Sequence, residues 1–303
     1  MTDGESQADF TPLKYYSTAF KVARWIRRAR MILVRLFFLF IVIVIASFLL
    51  NIRSLSYSVS YHSSGGSISL DGIVFLLVFI PLIFFVLRMQ LMDMIWRAFA
   101  AKNNYKIINQ GNFAATAVEK VPSFRAKAIS FSSGVITGAY QNLEFAFFTR
   151  QYKEGGLLRW RERQMDTVLT IFMPGNLPHI IINARDNERA RRSNLSASFP
   201  DDHRFNFEGV YGDKYDVHTN PSSRITTLQL FTPDVLTVLY EKLPQADIEI
   251  KGNKLWVVQR YGILNDTLAR NLFEAGSQLY EELYKQMRSA RLIERPTADA
   301  TSR

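Results

Sequence analysis

The sequence predicts an α+β protein. We expect an N-terminal two-helix transmembrane hairpin, then a cytoplasmic antiparallel-sheet domain with packed helices and a long C-terminal helix. Three observations support this: two uncharged apolar runs at residues 36–50 and 72–87, basic residues at the outer ends of those runs, and alternating strand-like and helix-like patterns in the last hundred residues. Mixed strand and helix patterns of this kind are typical of helices packed on an antiparallel sheet.

The two apolar runs are long enough for membrane spans once their flanks are included. A helix needs about 20 apolar residues to cross the hydrocarbon core, and residues 31–52 and 70–89 supply that length. Arg35 lies near a helix end, where its side chain reaches the headgroups, and Pro81 predicts a kink. The alternatives are two buried helices of a soluble core, or a cleaved signal peptide for the first run. The long charged lead argues against the signal peptide.

The basic residues predict which way the hairpin faces. Residues 1–35 carry seven basic and three acidic side chains, whereas the loop at 53–69 contains Arg53 as its only Lys or Arg. Positive charge near a membrane stays on the cytoplasmic side, so both termini are predicted inside. The chain has no cysteine, which excludes a disulfide framework.

Residues 1–30 are predicted to form a basic cytoplasmic N-terminal segment. The stretch from Lys14 to Arg35 has apolar residues among its arginines and is predicted to lie on anionic headgroups. The alternative is that these charges only set orientation. The candidate membrane-surface contacts are Arg24, Arg27, Arg28, Arg30 and Arg35. The net charge of +10 is otherwise spread thinly, and without a dense basic face no nucleic-acid partner is expected.

The part after the hairpin is predicted to contain a helical stalk at 90–104, a domain at 105–292 and a disordered tail at 293–303. Strand-like composition recurs at 105–108, 134–137, 143–149, 167–173 and 179–183. Pro174-Gly175-Asn176 between the last two is typical of a hairpin turn. The charged residues 150–164 predict a hairpin tip or loop.

The C-terminal third gives the clearest pattern. Strands are predicted at 203–210 and 215–219, and Thr232-Pro233 predicts a helix start with Thr as N-cap. Its apolar stripe includes Leu239 and Tyr240. Strands at 247–250 and 255–259, with alternating burial, are predicted to flank a tight hairpin at 251–254, and a long helix follows at 265–290. The arginine-rich stretch 184–202 predicts a solvated loop, or a contact with lipid headgroups or an acidic partner.

Several phrases carry a family resemblance: LPHIIINAR, FNFEGVYGDKYDVHT, LFTPDVLTVLYEKL and IEIKGNKLWVV. Over roughly residues 105–290 the chain resembles uncharacterised bacterial membrane proteins in which a pair of transmembrane helices precedes a cytoplasmic domain of unknown function. The resemblance implies a multi-pass protein of the bacterial inner membrane. It implies no activity, substrate or catalytic residue.

Motifs for phosphate binding, zinc proteolysis or nucleophilic hydrolysis are missing from the sequence. Asp216 and His218 lie two apart on a predicted strand and, with nearby Asp201, Asp202 and His203, form a candidate hydrolytic or metal site; surface polar residues on an edge strand are the alternative. The aromatic residues nearby predict core packing, or a peptide- or lipid-binding groove: Tyr215, Tyr211, Phe205 and Phe207.

The sequence therefore favours a membrane protein whose cytoplasmic domain binds a protein or the membrane surface without catalysis. No catalytic, cofactor-binding or metal-binding residue is assigned, and the expected partners are the lipid bilayer and an unidentified protein. The alternatives are a membrane-proximal enzyme of unrecognised type and an accessory subunit of a transport assembly, which would require oligomers because two helices form no pore.

Overall fold

The computed structural model describes residues 8–19, 21, 90–108, 128–131, 134–153, 163–187, 203–260 and 264–293. The chain divides into two compact units, residues 16–94 and residues 1–15 with 95–303. Within the described residues, none of the helices has the length and apolar character needed to cross a membrane. The two predicted spans, residues 31–52 and 70–89, lie outside those residues, as does most of the predicted tail.

The larger unit is an α+β domain, as predicted, with an antiparallel sheet and a long C-terminal helix. Its strands are β1 (Lys106–Ile108), β2 (Ala128–Phe131), β3 (Val135–Tyr140), β4 (Leu143–Lys153), β5 (Arg163–Ala184), β6 (Arg204–Phe205), β7 (Tyr215–Thr219) and β8 (Ala246–Gln259). Its helices are α1 (90–102), α2 (Val210–Lys214), α3 (Arg224–Leu230), α4 (Pro233–Lys242) and α5 (Asp266–Ser289). Helix α1 begins before the boundary between the two units and ends where Asn103 and Asn104 follow.

Strand β5 is the centre of the sheet. It pairs with β8 along most of its length, and its other partner is β4 in the first half and β7 in the second. The strand order is β1-β3-β4-β5-β7-β6, with β2 also pairing with β4. All these pairs are antiparallel, so neighbouring strands can be joined by short connections such as the turn between β3 and β4.

The two hairpins predicted at 174–176 and 251–254 are wrong. Each turn-like segment lies inside one continuous strand, β5 or β8, and the two segments lie opposite each other. Phe172 pairs with Lys254, and the next pair is Leu177 with Gly252. Between these two pairs β5 therefore covers five residues, whereas β8 covers only two. The extra residues form a bulge. Local turn composition therefore marks an irregularity within a long strand pair rather than two chain reversals.

Gly252 permits this irregularity because its φ is +62°, a conformation that residues with a Cβ avoid. A Cβ added there would meet Asn176 Oδ1 at 3.5 Å, so space is not limiting. We expect Gly252→Ala to destabilise the domain by about 1–2 kcal/mol through backbone strain alone. Thermal unfolding of the full-length protein in mild detergent measures this, with the exposed Lys251→Ala as control. Equal midpoints for the two variants would contradict the assignment.

The β5–β8 pair is strongly bent at this bulge. Arg260 Nε donates a hydrogen bond to Asp247 Oδ2, although a straight strand would separate residues 247 and 260 by about 43 Å. Ile181, from the second half of β5, also shares a buried cluster with Val168 and Val258. The two halves of the ribbon therefore fold toward each other, and their facing sides form an interior core.

The helices α4 and α5 start and end close to the predicted positions. Asn265 caps α5 by accepting a hydrogen bond from the Leu268 amide at 2.7 Å, and α4 begins with Pro233 at its first position. Tyr240, predicted to be part of the apolar stripe, is instead 41% exposed. Helices α2 and α3 were not expected. The strand predicted at 203–210 is shorter, since β6 contains only Arg204–Phe205, and Gly209 at φ +63° departs from the extended conformation.

Residues 9–13 belong to the same compact unit as the sheet. The Asp9 amide donates to Asn103 Oδ1 at 2.6 Å, and Asn103 Nδ2 donates back to the Asp9 carbonyl at 2.9 Å. Phe10 is 1% exposed, and its ring lies 5.7 Å from that of Phe99 and 5.5 Å from that of Phe273 in α5. Residues 9–13 are thus part of the domain core, and not only a charged lead.

Candidate functional site

An arginine–aspartate cluster lies where β5, β6 and β7 run side by side. Asp216 comes from β7, Arg204 from β6, and Arg185 follows the last residue of β5. Arg185 Nη2 lies 2.7 Å and Arg204 Nη2 2.6 Å from the same oxygen, Oδ1 of Asp216. Each Nε is 3.2 Å from that atom. The sheet register places one guanidinium on either side of the carboxylate.

The electrostatics of the cluster favour an ionised Asp216. Burial alone would raise the pKa of this carboxyl, but the hydrogen bonds from Arg185 and Arg204 outweigh burial and lower the pKa below its ordinary value. The Asp216 side chain is 11% exposed, whereas those of Arg185 and Arg204 are 33% and 50% exposed. The three side chains together carry two positive charges and one negative, with the positive groups nearer to solvent.

His218 lies two residues beyond Asp216 on β7, so both side chains point to the same side of the sheet. Burial lowers the pKa of His218; Asp216 opposes this, and Arg204 and His203 reinforce it. Near pH 7 these lowered pKa values favour the ionised form of Asp216 and the neutral form of His218.

Removal of the carboxylate should reveal its contribution to stability. We expect Asp216→Asn to lower the free energy of unfolding by about 1–2 kcal/mol at pH 7, because two partly exposed arginines lose a charged acceptor. Since the folded-state pKa is depressed, this stabilisation is complete above the ordinary aspartate pKa and is lost as pH falls through the folded value. Thermal midpoints of both proteins between pH 7 and pH 3 test this: the gap should close on acidification, and a constant gap would contradict it.

A second set of charges is buried inside the bent ribbon. Arg150 Nε and Nη2 donate to Asp166 Oδ2 at 3.0 and 2.9 Å, and both residues are at most 1% exposed. A second buried pair is formed by Arg260, which follows the last residue of β8, and Asp247 near the start of that strand. This second pair holds the two ends of the bent strand β8 together.

Asp247 is the most enclosed of these groups. Its Oδ1 accepts from the Ala184 amide at 2.9 Å and from Asn187 Nδ2 at 2.8 Å, and its Oδ2 accepts from Arg260. Burial raises the pKa of Asp247, and Arg260 with the two amide donors opposes that rise. Glu249, also buried, lies 2.7 Å from His179 Nε2. Asp247 and Glu249 are buried, so they stabilise the fold rather than offer a binding surface, whereas the His179 side chain is 25% exposed.

A short amphipathic helix lies beside the arginine cluster. Within α3, Thr227 and Leu230 are buried, whereas Ile225 is 73% and Leu228 53% exposed. The Arg224 guanidinium lies 5.9 Å from the ring centre of Phe205 in β6, which joins α3 to the strand that carries Arg204. Exposed aliphatic side chains and arginines therefore meet along one edge of the sheet.

The predicted aromatic group is divided between core and surface. Tyr215 and Phe207 are buried, and the Phe207 ring lies 6.1 Å from that of Phe231. Tyr211 lies in α2 rather than in a strand, and its hydroxyl is 3.1 Å from Thr237 Oγ1. Core packing therefore accounts for Tyr215 and Phe207, while Phe205 is only partly buried.

The remaining sequence-based candidates have mixed outcomes. β7 lies between β5 and β6, so the alternative of an exposed edge strand is wrong for Asp216. Asp201 and Asp202 lie outside the described residues, and in the described part no group of three or more His, Asp or Glu could hold a metal ion. The candidate membrane-surface arginines also lie outside the described part of the chain: Arg24, Arg27, Arg28, Arg30 and Arg35.

Sequence reasoning missed the partners of Asp216 and the buried ion pairs. Arg204 had no motif around it, and its role follows only from the pairing of β6 with β7. Asp247 and Glu249 alternate with Ile248 and Ile250, which predicted one exposed face, yet all four are buried. Arg150 and Asp166 gave no distinct signal, because they lie at the two ends of a charged stretch and their pairing follows only from the register of β4 with β5.

The fold and site define an α+β domain with an exposed arginine–aspartate cluster at a sheet edge. No protein-family model matches the chain, and no curated protein matches it. Among solved structures, the crystal structure of the mycobacterial trehalose monomycolate transport factor A is similar, with a TM-score of 0.37 and 10% sequence identity. That similarity covers 63% of this chain and 92% of the other chain. A likeness at this level carries no inference about fold or function.

Proposed function

We propose that the chain is a multi-pass protein of the bacterial inner membrane whose cytoplasmic α+β domain is a non-enzymatic binding module. The anchor is the hairpin of residues 31–52 and 70–89, which both fall within the compact unit of residues 16–94. The domain presents arginines and aliphatic side chains at one sheet edge, and the Asp216 carboxylate, whose pKa is lowered, lies between two arginines there.

The observation that carries this proposal is the packing of residues 9–13 with the sheet domain. Asp9 and Phe10 contact Asn103, Phe99 and Phe273, which supports placing the chain before residue 16 and after residue 94 on the same side of a membrane. An even number of crossings would satisfy this, and two apolar segments would supply it. The basic residues before residue 36 and after residue 87 then favour the cytoplasmic side. If the first apolar run were a cleaved signal peptide, cleavage would also remove Phe10, which precedes that run, from the core.

Membrane fractionation tests the anchor. After expression in a bacterial host, the full-length protein should sediment with membranes, resist alkaline carbonate extraction and be released by detergent. A matched variant with Ile43→Asp and Phe79→Asp, which places a charge in each apolar run, should be extracted or lost, because an aspartate at the centre of a span costs about 2.5–3.5 kcal/mol. Extraction of the unaltered protein by carbonate would contradict the proposal.

A further inference from the structure

Strand β6 forms the outer end of the described strand order. Arg204 and Phe205 are consecutive there and point to opposite sides of the sheet. Arg204 joins the cluster around Asp216, and Phe205 lies under Arg224 at the start of α3. We call this region the β6 edge; its residues are Arg185, Arg204, Phe205, Arg224, Ile225 and Leu228.

The apolar part of the β6 edge is unusual for a water-exposed surface. Ile225 and Leu228 are three residues apart on α3, a spacing that places them on the same helix face. They are 73% and 53% exposed, while Thr227 and Leu230 of the same helix are buried. Neither exposed side chain closes the core, so α3 offers a small apolar surface of two neighbouring aliphatic groups to a contact.

The charged residues near Ile225 and Leu228 indicate what kind of surface these side chains contact. Arg204 is 50% exposed and lies 2.6 Å from Asp216, so its position is fixed while much of its surface remains open. Arg224, which lies over one face of β6, precedes Ile225 in α3, and Arg204 lies on the other face of the same edge strand. An edge that combines aliphatic and arginine side chains matches the boundary between acyl chains and anionic headgroups. A tethered domain also meets the bilayer at high effective concentration, whereas a free acidic protein has no such advantage.

We infer that the β6 edge contacts the anionic headgroups of the membrane that anchors the chain. Ile225 and Leu228 enter the headgroup–acyl boundary, and Arg204 and Arg224 bind lipid phosphates. This inference rests on the proposed membrane anchor. Each basic residue near an anionic surface strengthens attraction by about fivefold, and salt weakens it.

The absence of cysteine from the sequence allows a site-specific test on the full-length protein. Ile225→Cys, labelled with an environment-sensitive fluorophore, is reconstituted in nanodiscs containing either anionic or only zwitterionic lipids. We expect blue-shifted emission in anionic nanodiscs alone, reversed by high salt. Arg204→Gln, introduced into the labelled protein, should reduce the ratio of lipid-contacting to water-exposed label about fivefold. Arg288→Gln, an exposed arginine in the last turn of α5, is the charge-matched control and should have no such effect.

The control label is placed at Gln278→Cys on the exposed side of α5. Its emission should be that of a water-exposed fluorophore in both lipid compositions. The inference is overturned if the label at 225 gives the same emission in both lipids, or if the label at 278 shifts as much as that at 225. It is also overturned if the label at 225 responds to added polyglutamate but not to anionic lipid, because the edge would then bind an acidic protein. Failure of the protein to enter nanodiscs would instead refute the anchor.

Discussion

Replacement of Asp247 by alanine is expected to lower the free energy of unfolding by about 3–5 kcal/mol, the usual cost of leaving one partner of a buried ion pair uncompensated. Asp247 is 0% exposed and accepts hydrogen bonds from Arg260, Asn187 and the Ala184 amide. Without the carboxylate, the Arg260 guanidinium, which is 3% exposed, loses the counter-charge of Asp247. The ribbon ends joined by this contact would also separate more easily.

The effect is measured as the thermal midpoint of the full-length protein in mild detergent. A loss of 3–5 kcal/mol corresponds to a decrease of roughly 6–20 °C for a domain of this size. Glu274→Ala, an exposed carboxylate on α5, is the control and should change the midpoint little. Equal midpoints for Asp247→Ala and Glu274→Ala would contradict the buried network. If Asp247→Ala does not accumulate, Asp247→Asn, which keeps the shape and one acceptor, should be intermediate.

Phe273→Ala is the second substitution with a large expected effect. Phe273 is 1% exposed, and its ring lies 4.8 Å from that of Phe145, 5.1 Å from that of Phe147 and 5.5 Å from that of Phe10. It therefore joins α5 to β4 and to the start of the chain. Truncation creates a cavity among these rings and should cost about 3–5 kcal/mol.

The comparison for this variant is Tyr240→Ala, since Tyr240 is 41% exposed and its ring should contribute much less. Chemical denaturation of the two variants measures the difference. Phe273→Leu, which fills part of the cavity, should recover part of the loss. A Phe273→Ala variant no less stable than Tyr240→Ala would show that the N-terminal residues and α5 do not share this core.

Helix boundaries were predictable because their signals are local. The N-cap at Asn265 and Pro233 at the start of α4 act within one helical turn, so the sequence alone locates both helices closely. The strands were different. Pro174-Gly175 and Gly252 gave strong turn signals, but long-range pairing of β5 with β8 kept both strands continuous and turned the signals into a bulge. Pairing between distant segments is invisible to local composition.

The candidate site was predictable only in part. Asp216 and His218 were found because period-two spacing places them on one face. Arg185 was noted as part of a basic loop, but its contact with Asp216 depends on the register of β5 with β7. Arg204 was missed for the same reason, because its position depends on β6 pairing with β7. Three-dimensional convergence on one carboxylate oxygen has no sequence motif.

The most direct test of the central claim uses introduced cysteines in intact bacterial cells. Ser63→Cys lies in the loop predicted to be outside, and Gln278→Cys lies on the exposed surface of α5 in the sheet domain. A membrane-impermeant thiol reagent should label Cys at position 63 in intact cells and Cys at position 278 only after permeabilisation. Labelling at 278 in intact cells, with protection at 63, would contradict a cytoplasmic domain held by a two-helix membrane hairpin.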